Sequence, residues 1–284
     1  MKRHTTLVTG SALYLLTLAG CATTSSPYAQ TDSASVVAYD DIEWGALNPA
    51  RGDKSPRAGT LWGDRTKDEA SGFLVQFVDG FSSPPHIHNI TYRGVVIQGL
   101  VHNDDPEAEN MWLPSGSFWT QPAGDVHITS ATGAFNLAYI EIDEGPYLVQ
   151  PTDDAFHDEE ISINVDESNL VWLDASSMTW IDADRPGNTQ HGAQIAMLWG
   201  DPQNGELYGS MIKLPAGFDG EIRTNADLFR AIVIQGEVET TDASLGAGSY
   251  FGSDSPMAHG VHAVGKDETL VYVRTNAPYR IVLD

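Results

Sequence analysis

The sequence predicts an all-β protein built from two copies of one domain, and three observations carry that prediction. The first is an internal repeat, which fixes architecture before any element is assigned. Leu61-Trp62-Gly63-Asp64 recurs as Leu198-Trp199-Gly200-Asp201, an offset of 198 − 61 = 137, and at the same offset Tyr92–Gly99 meets Phe229–Gly236. Further on the offset falls to 132: Leu113, Gly116, Ser117, Phe118 and Trp119 pair with Leu245, Gly248, Ser249, Tyr250 and Phe251, and Pro146-Tyr147 pairs with Pro278-Tyr279. The second is apolar alternation with β-branched and aromatic enrichment, bounded by Gly, Pro, Asn and Asp. The third is that no segment carries a 3.6-residue apolar stripe of helical length. Many short strands separated by turn residues imply a double-sheet sandwich or barrel in each copy.

Taken in order, residues 1–20 read as an export signal. Lys2 and Arg3 give the positive region, Leu7 to Leu18 the apolar one, and the stretch is too short and too broken by Thr and Ser to span a bilayer. Its ending, Leu18-Ala19-Gly20-Cys21, resembles the lipobox of bacterial lipoproteins. That resemblance implies cleavage before Cys21, lipidation of its thiol and, with Ala22 in place of Asp, the periplasmic side of the outer membrane. Cys21 is the only cysteine, so no internal disulfide can form. Residues 21–40, rich in Thr, Ser and Ala, are expected to be a flexible tether.

The first domain is expected over 41–150, with strands near 59–66, 72–78, 86–101, 111–119, 126–130 and 135–142. An acidic, weakly patterned linker follows over 151–170. The second domain, 171–284, has strands expected near 195–200, 208–214, 229–238, 249–252, 260–264 and 270–281.

The 284 residues, 41% of them hydrophobic, suffice for two packed cores. Lys+Arg of 15 against Asp+Glu of 39 gives −24, which argues against nucleic-acid partners and leaves membrane contact to the lipid anchor alone. Self-association into a homodimer is compatible with this composition. No serine nucleophile elbow, P-loop or dinucleotide fingerprint occurs, which removes those classes.

The chemistry concentrates in PPHIHNITYRGVVIQG, Pro84 to Gly99. On a strand, side chains two apart share a face about 6.6 Å apart, so His86 and His88 project together. Imidazole nitrogens bind a divalent metal at about 2.0–2.1 Å, and two such rings can converge on one ion. A third ligand must come from elsewhere. The best candidate is His127, at the end of GSFWTQPAGDVH, where Gly116, Pro122 and Gly124 punctuate a turn.

These two segments resemble the paired motifs of the cupin superfamily. The second has its Gly116, Pro122, Gly124 and His127 in the family's spacing, with Ala131 where the family has Asn. The first has His86, His88 and Gly99, but Tyr92 stands at the family's Glu position and no Gly precedes His86 at the expected distance. The resemblance implies two tandem jelly-roll (double-stranded β-helix) barrels and a three-histidine metal site at His86, His88 and His127. Over roughly 40–284 the chain looks like a family of bacterial bicupins classed as a domain of unknown function.

Three neutral imidazoles leave a divalent ion with open positions for water, dioxygen or an oxygen donor of a substrate. Zinc, iron, manganese and nickel all accept such a set. Counting by twos along the strand places Tyr92 and His102 inside with the histidines, as catalytic or orienting groups. By the repeat offsets His86 maps to Arg223, His88 to Asn225 and His127 to His259. Arg stays protonated and Asn is a weak ligand, so the second domain is expected to hold no metal. Arg223, Asn225 and His259 would instead line a pocket for a polar or anionic ligand, or the domain would serve only as a packing partner. The leading expectation is a metal-dependent enzyme (oxygenase, lyase or hydrolase) acting on a small oxygen-rich substrate. Its rivals are a non-catalytic small-ligand-binding or sensing lipoprotein with a structural metal, and an envelope assembly module with an acidic docking surface.

Overall fold

The computed structural model describes residues 34–178, 192–241 and 243–283. The export signal, Cys21 and most of the expected tether lie outside these residues. Among the described residues the only helical elements are short 3-10 turns, and everything else regular is antiparallel strand.

An eight-stranded sheet runs through the N-terminal half in the order Ile163–Val165, Phe118–Gln121, Tyr92–Asp104, Ile128–Ile142, Ser71–Phe77, Arg57–Trp62 and Trp44–Ala46, with Phe81–Ser82 added beside Ile128–Ile142. Ile87–His88 pairs with Val149–Gln150 as a separate ribbon. In the C-terminal half a seven-stranded sheet (Ser35–Val37, Tyr250–Ser253, Phe229–Gln235, Thr269–Thr275, Tyr208–Leu214, Gln194–Trp199, Leu173–Asp174) faces a five-stranded one (Ser244–Gly246, Glu237–Glu239, Met257–Val264, Asp219–Thr224, Tyr279–Leu283).

Three apolar layers follow from alternation along these strands. Phe73, Val75, Trp119 and Ile140 pack inside the N-terminal half, and Phe229, Val233, Ile222 and Val261 fill the C-terminal half. Leu74, Val95 and Tyr139 turn the other way and meet Met211, Ile232 and Tyr272 of the seven-stranded sheet. Strands such as Ser71–Phe77 are therefore covered on both faces, which is why they read as near-continuous apolar runs.

The repeated Leu-Trp-Gly-Asp has a structural cause. Gly63 and Gly200 take φ of 64° and 74° in the turn after the strand, a conformation that costs glycine little. Trp62 and Trp199 then lie over Gly72 and Gly209, where a Cβ would come within 2.1 and 1.9 Å of the indole nitrogens. Each indole donates across to a buried phenol, Trp62 to Tyr139 at 3.0 Å and Trp199 to Tyr272 at 2.9 Å.

Several expected boundaries need correction. Ser35–Val37, placed in the tether, is a strand on the edge of the seven-stranded sheet, paired with Tyr250–Gly252. The expected linker contributes Ile163–Val165, paired with Phe118–Thr120. The strands expected at 126–130 and 135–142 are one 15-residue strand, and Asp219–Thr224 is a strand not anticipated. The strand expected at 86–101 is interrupted at 89–91, and the one at 270–281 divides into Thr269–Thr275 and Tyr279–Leu283.

Candidate metal centre

His86, His88 and His127 converge. His86 and His127 sit opposite each other in an isolated bridge, exchanging backbone hydrogen bonds of 3.1 and 3.0 Å. His88, two residues on, is held by Gly124 N–H donating to its carbonyl at 2.8 Å, so the glycine turn ahead of His127 is tied to the His-x-His strand. Ring centroids lie 4.3 Å (His86–His127), 5.0 Å (His86–His88) and 5.2 Å (His88–His127) apart. The candidate ligand atoms all lie within 4.8 Å of one another.

Each ring is oriented by its own Nδ1. His86 Nδ1 donates to Pro84 O at 2.9 Å, His88 Nδ1 to Leu148 O at 2.8 Å and His127 Nδ1 to Asp125 O at 3.1 Å. A carbonyl can only accept, so each Nδ1 carries the proton and each Nε2 keeps its lone pair. This is the arrangement that fixes the tautomer of a metal-ligating histidine. Burial is the first cause of a lowered pKa at all three, and the neighbouring imidazoles add to it at His88 and His127, taking His127 down to about 3. The rings are thus neutral donors at ordinary pH. The donor set fits a divalent ion, and no Asp, Glu or Cys joins the cluster among the described residues.

Two phenols flank the Nε2 atoms. Tyr92 Oη lies 3.4 Å from His127 Nε2, and the Tyr147 hydroxyl donates to His88 Nε2 at 3.1 Å, its ring stacked on the imidazole at 4.3 Å. Burial raises the pKa of both, so they are protonated donors and not bases. Tyr92 donates to Asn103 Oδ1 at 2.8 Å, as does Thr129 at 2.7 Å, while Asn103 Nδ2 donates to Gln121 Oε1 at 2.9 Å. The cluster opens into a cavity of about 420 Å³ whose walls include Val75, Phe77, Phe81, Trp119 and Ile140.

His102 is not in this site. Two register shifts, between Val96 and Gln98 and between Gln98 and Leu100, break the count by twos along Tyr92–Asp104. Val101 and Asn103 consequently face the core, and His102 turns to the opposite side, against Trp112 and the Met111 carbonyl. A glycine inside a strand often marks such a bulge, and Gly99, with φ of 80°, was the available signal. The same slip hid Asn103. Tyr147 carried a signal too, since its Pro-Tyr dipeptide is part of the repeat.

The second half does not assemble Arg223, Asn225 and His259. Ile222 pairs with His259 in the register in which His86 pairs with His127, so the local offset is 222 − 86 = 136. His86 and His88 therefore correspond to Ile222 and Thr224, both buried. Arg223 faces outward on Glu221 at 2.6 Å and Asn225 is exposed. His259 stacks on Phe229 at 4.8 Å and contacts Ser253 Oγ at 3.2 Å, beside a cavity of about 130 Å³ that neither Arg223 nor Asn225 lines.

The profile of the DUF4437 family, a domain of unknown function, matches residues 35–282. A search of curated proteins finds no match. Among solved structures, the fold is similar to a putative dioxygenase from Nostoc punctiforme (TM-score 0.65, 16% identity, 88% of this chain and 84% of that one). It is also similar to an oxalate decarboxylase from Lactobacillus farciminis in complex with formate (TM-score 0.55, 11% identity, 89% of each chain). Vicilin from hazelnut, Corylus avellana, is similar as well (TM-score 0.55, 11% identity, 88% of each chain). At these identities the likeness establishes a cupin-like, all-β fold and no activity.

Proposed function

This chain belongs to the DUF4437 family, and we propose that it is a two-barrel cupin whose N-terminal barrel is a metal-dependent enzyme acting on a small oxygen-rich substrate. The observation that carries the reading is the orientation of His86, His88 and His127: three Nδ1–H groups anchored on backbone carbonyls, which leaves each Nε2 unprotonated, with His86 and His88 on the cavity wall. A closed structural site would bring a fourth protein ligand. The cluster instead faces open space, which supports catalysis over a purely structural ion.

A divalent ion held there would supply Lewis-acid polarisation or redox chemistry at its open positions. The chain's own residues do the rest. Tyr147, kept protonated by burial, would turn its hydroxyl to a substrate oxygen once an ion takes the His88 lone pair, while the Tyr92 hydroxyl, its proton committed to Asn103, presents an acceptor beside His127. Asn103 fixes the Tyr92 hydroxyl through its own bond to Gln121. The Val75, Phe77 and Trp119 walls set apolar surface beside the cluster, where a polar contact is stronger than in bulk water. The second barrel, without the two imidazoles, is a packing partner. On the same reading the chain works on the periplasmic side of the bacterial envelope, held by lipid on Cys21.

Elemental analysis of the purified protein should give about one divalent ion per chain. His88→Ala and His127→Ala should each lose it with an unchanged far-UV spectrum. Both should also lose turnover of any compound found active in a panel of small dicarbonyls and hydroxy acids read by mass spectrometry. Metal retained in both variants refutes the site.

A further inference from the structure

The cavity above the histidines is lined by one permanently charged side chain, Arg51. It comes from the 3-10 segment Pro49–Lys54, which is carried over the mouth of the N-terminal half together with Leu47, Asn48 and Pro56. Arg51 is half-buried, whereas Asp53 and Lys54 of the same segment are exposed. Its guanidinium lies over the Phe81 ring, 5.5 Å from the centroid, and forms no ion pair with any acid among the described residues. It is close enough to His86 to weigh against protonation of that ring.

In a chain with 39 acidic and 15 basic residues, an arginine turned into a cavity with no acidic side chain on its lining is a specific arrangement. A guanidinium presents a planar fork of donors that matches a carboxylate in two parallel bonds. A divalent ion on three neutral imidazoles adds two further positive charges at the other end. Between the two ends the walls are apolar and aromatic: Val75, Phe77, Phe81, Trp119 and Ile140. The volume of about 420 Å³ suits a ligand of roughly ten to fifteen heavy atoms.

We propose that the substrate is a carboxylate with an apolar, ring-sized body: Arg51 pairs with the carboxylate, the body packs on Phe77 and Phe81, and the far end reaches the histidine cluster. The metal-proximal end rests on the proposed function; the Arg51 end does not.

The experiment titrates the metal-loaded full chain by calorimetry with phenylacetate, 3-phenylpropionate and 4-phenylbutyrate, and with the neutral amide of each. At least one acid should bind at least about tenfold tighter than its amide. Arg51→Met, checked for an unchanged melting temperature, should abolish that preference, and Arg51→Lys should restore part of it. Equal binding of acid and amide, no measurable binding of any acid, or an unchanged preference in Arg51→Met overturns the proposal and leaves Arg51 as a cover for Phe81. The same titration on His88→Ala separates the two readings. Acid preference retained there without metal supports Arg51 even if the metal assignment fails. Metal bound normally with no effect of Arg51→Met refutes the carboxylate alone.

Discussion

Arg274→Met tests the join between the two halves. Arg274 and Glu141 are both 1% exposed at their side chains, with Arg274 Nη1 3.2 Å from Glu141 Oε1 and 2.5 Å from Asp143 Oδ1. Tyr139 and Tyr272 donate to the two oxygens of Glu141 at 3.1 and 2.8 Å. Removing the guanidinium leaves a buried carboxylate on two phenols, which costs about 3–5 kcal/mol. Asp143 adds little to that figure, because it is partly exposed and keeps Arg93 at 2.9 Å. Glu141→Gln preserves an acceptor for the phenols and leaves Arg274 its Asp143, so it costs about 1–3 kcal/mol. The double variant has no orphaned charge and should be no worse than Arg274→Met, a coupling of about 2 kcal/mol or more. Urea unfolding of the wild type, the two single variants and the double variant measures this. A double variant equal to the sum of the singles, to within about 0.5 kcal/mol, refutes the claim that the two side chains act as one buried unit.

Two further outcomes follow from other buried polar groups. Burial holds His259 down to about 4, so it is neutral in the fold while the unfolded chain takes a proton below about 6.5. Its stability contribution is intact above pH 6.5 and is lost as pH falls toward 4, by about 2 kcal/mol at pH 5. Urea unfolding of His259→Gln at pH 7.5 and pH 5.0 should show a loss smaller than wild type by that amount, and an equal loss refutes the assignment. Asn103→Leu orphans the Tyr92 and Thr129 hydroxyls and Gln121, at about 1–3 kcal/mol. Adding Tyr92→Phe to it should cost less than Tyr92→Phe alone in the same unfolding assay, and full additivity refutes the network.

What could be read from the residues is what alternation and short spacing encode. Tyr208–Leu214 was predicted to the residue because both its faces are covered and its ends are turns. The three imidazoles were legible because His-x-His and Pro-x-Gly-x-x-His are local patterns whose geometry a strand and a turn fix. Asp219–Thr224 was not, because Glu221 and Arg223 face outward and leave only Ile222 and Thr224 as an apolar signal. His102 was misplaced because the register shift between Val96 and Gln98 puts one extra residue into its strand and inverts the faces beyond it, and counting by twos cannot see a bulge. Arg223 and Asn225 were misassigned for a related reason. The repeat offset is 137 on both sides of that strand but 136 within it, so one missing and one extra residue cancel where the flanking matches are read. Arg51 had no pattern of its own: its place at the cavity comes from a 3-10 segment whose position only tertiary packing decides.

The same duplication explains why one half can lose its imidazoles without losing its purpose. Arg93 pairs with Glu141 across the N-terminal sheet, and Arg230 pairs with Arg274 at the matching place in the C-terminal one, so Glu141 and Arg274 occupy equivalent positions. Their surroundings are reciprocal. Arg93 lies over Trp199 at 3.8 Å and Arg230 over Trp62 at 5.5 Å, while Tyr139 and Tyr272 meet at 5.6 Å. An interface of this kind is isologous, so each half meets its partner with the patch it would present to its own kind. Two N-terminal halves would bring Glu141 against Glu141, and two C-terminal halves Arg274 against Arg274. Like charges buried together cost several kcal/mol, whereas the mixed pair satisfies both groups. The C-terminal half thereby supplies the complementary charge at the joint and covers Leu74, Val95 and Tyr139. Neither task requires a metal, so Ile222 and Thr224 can stand where the N-terminal half has His86 and His88.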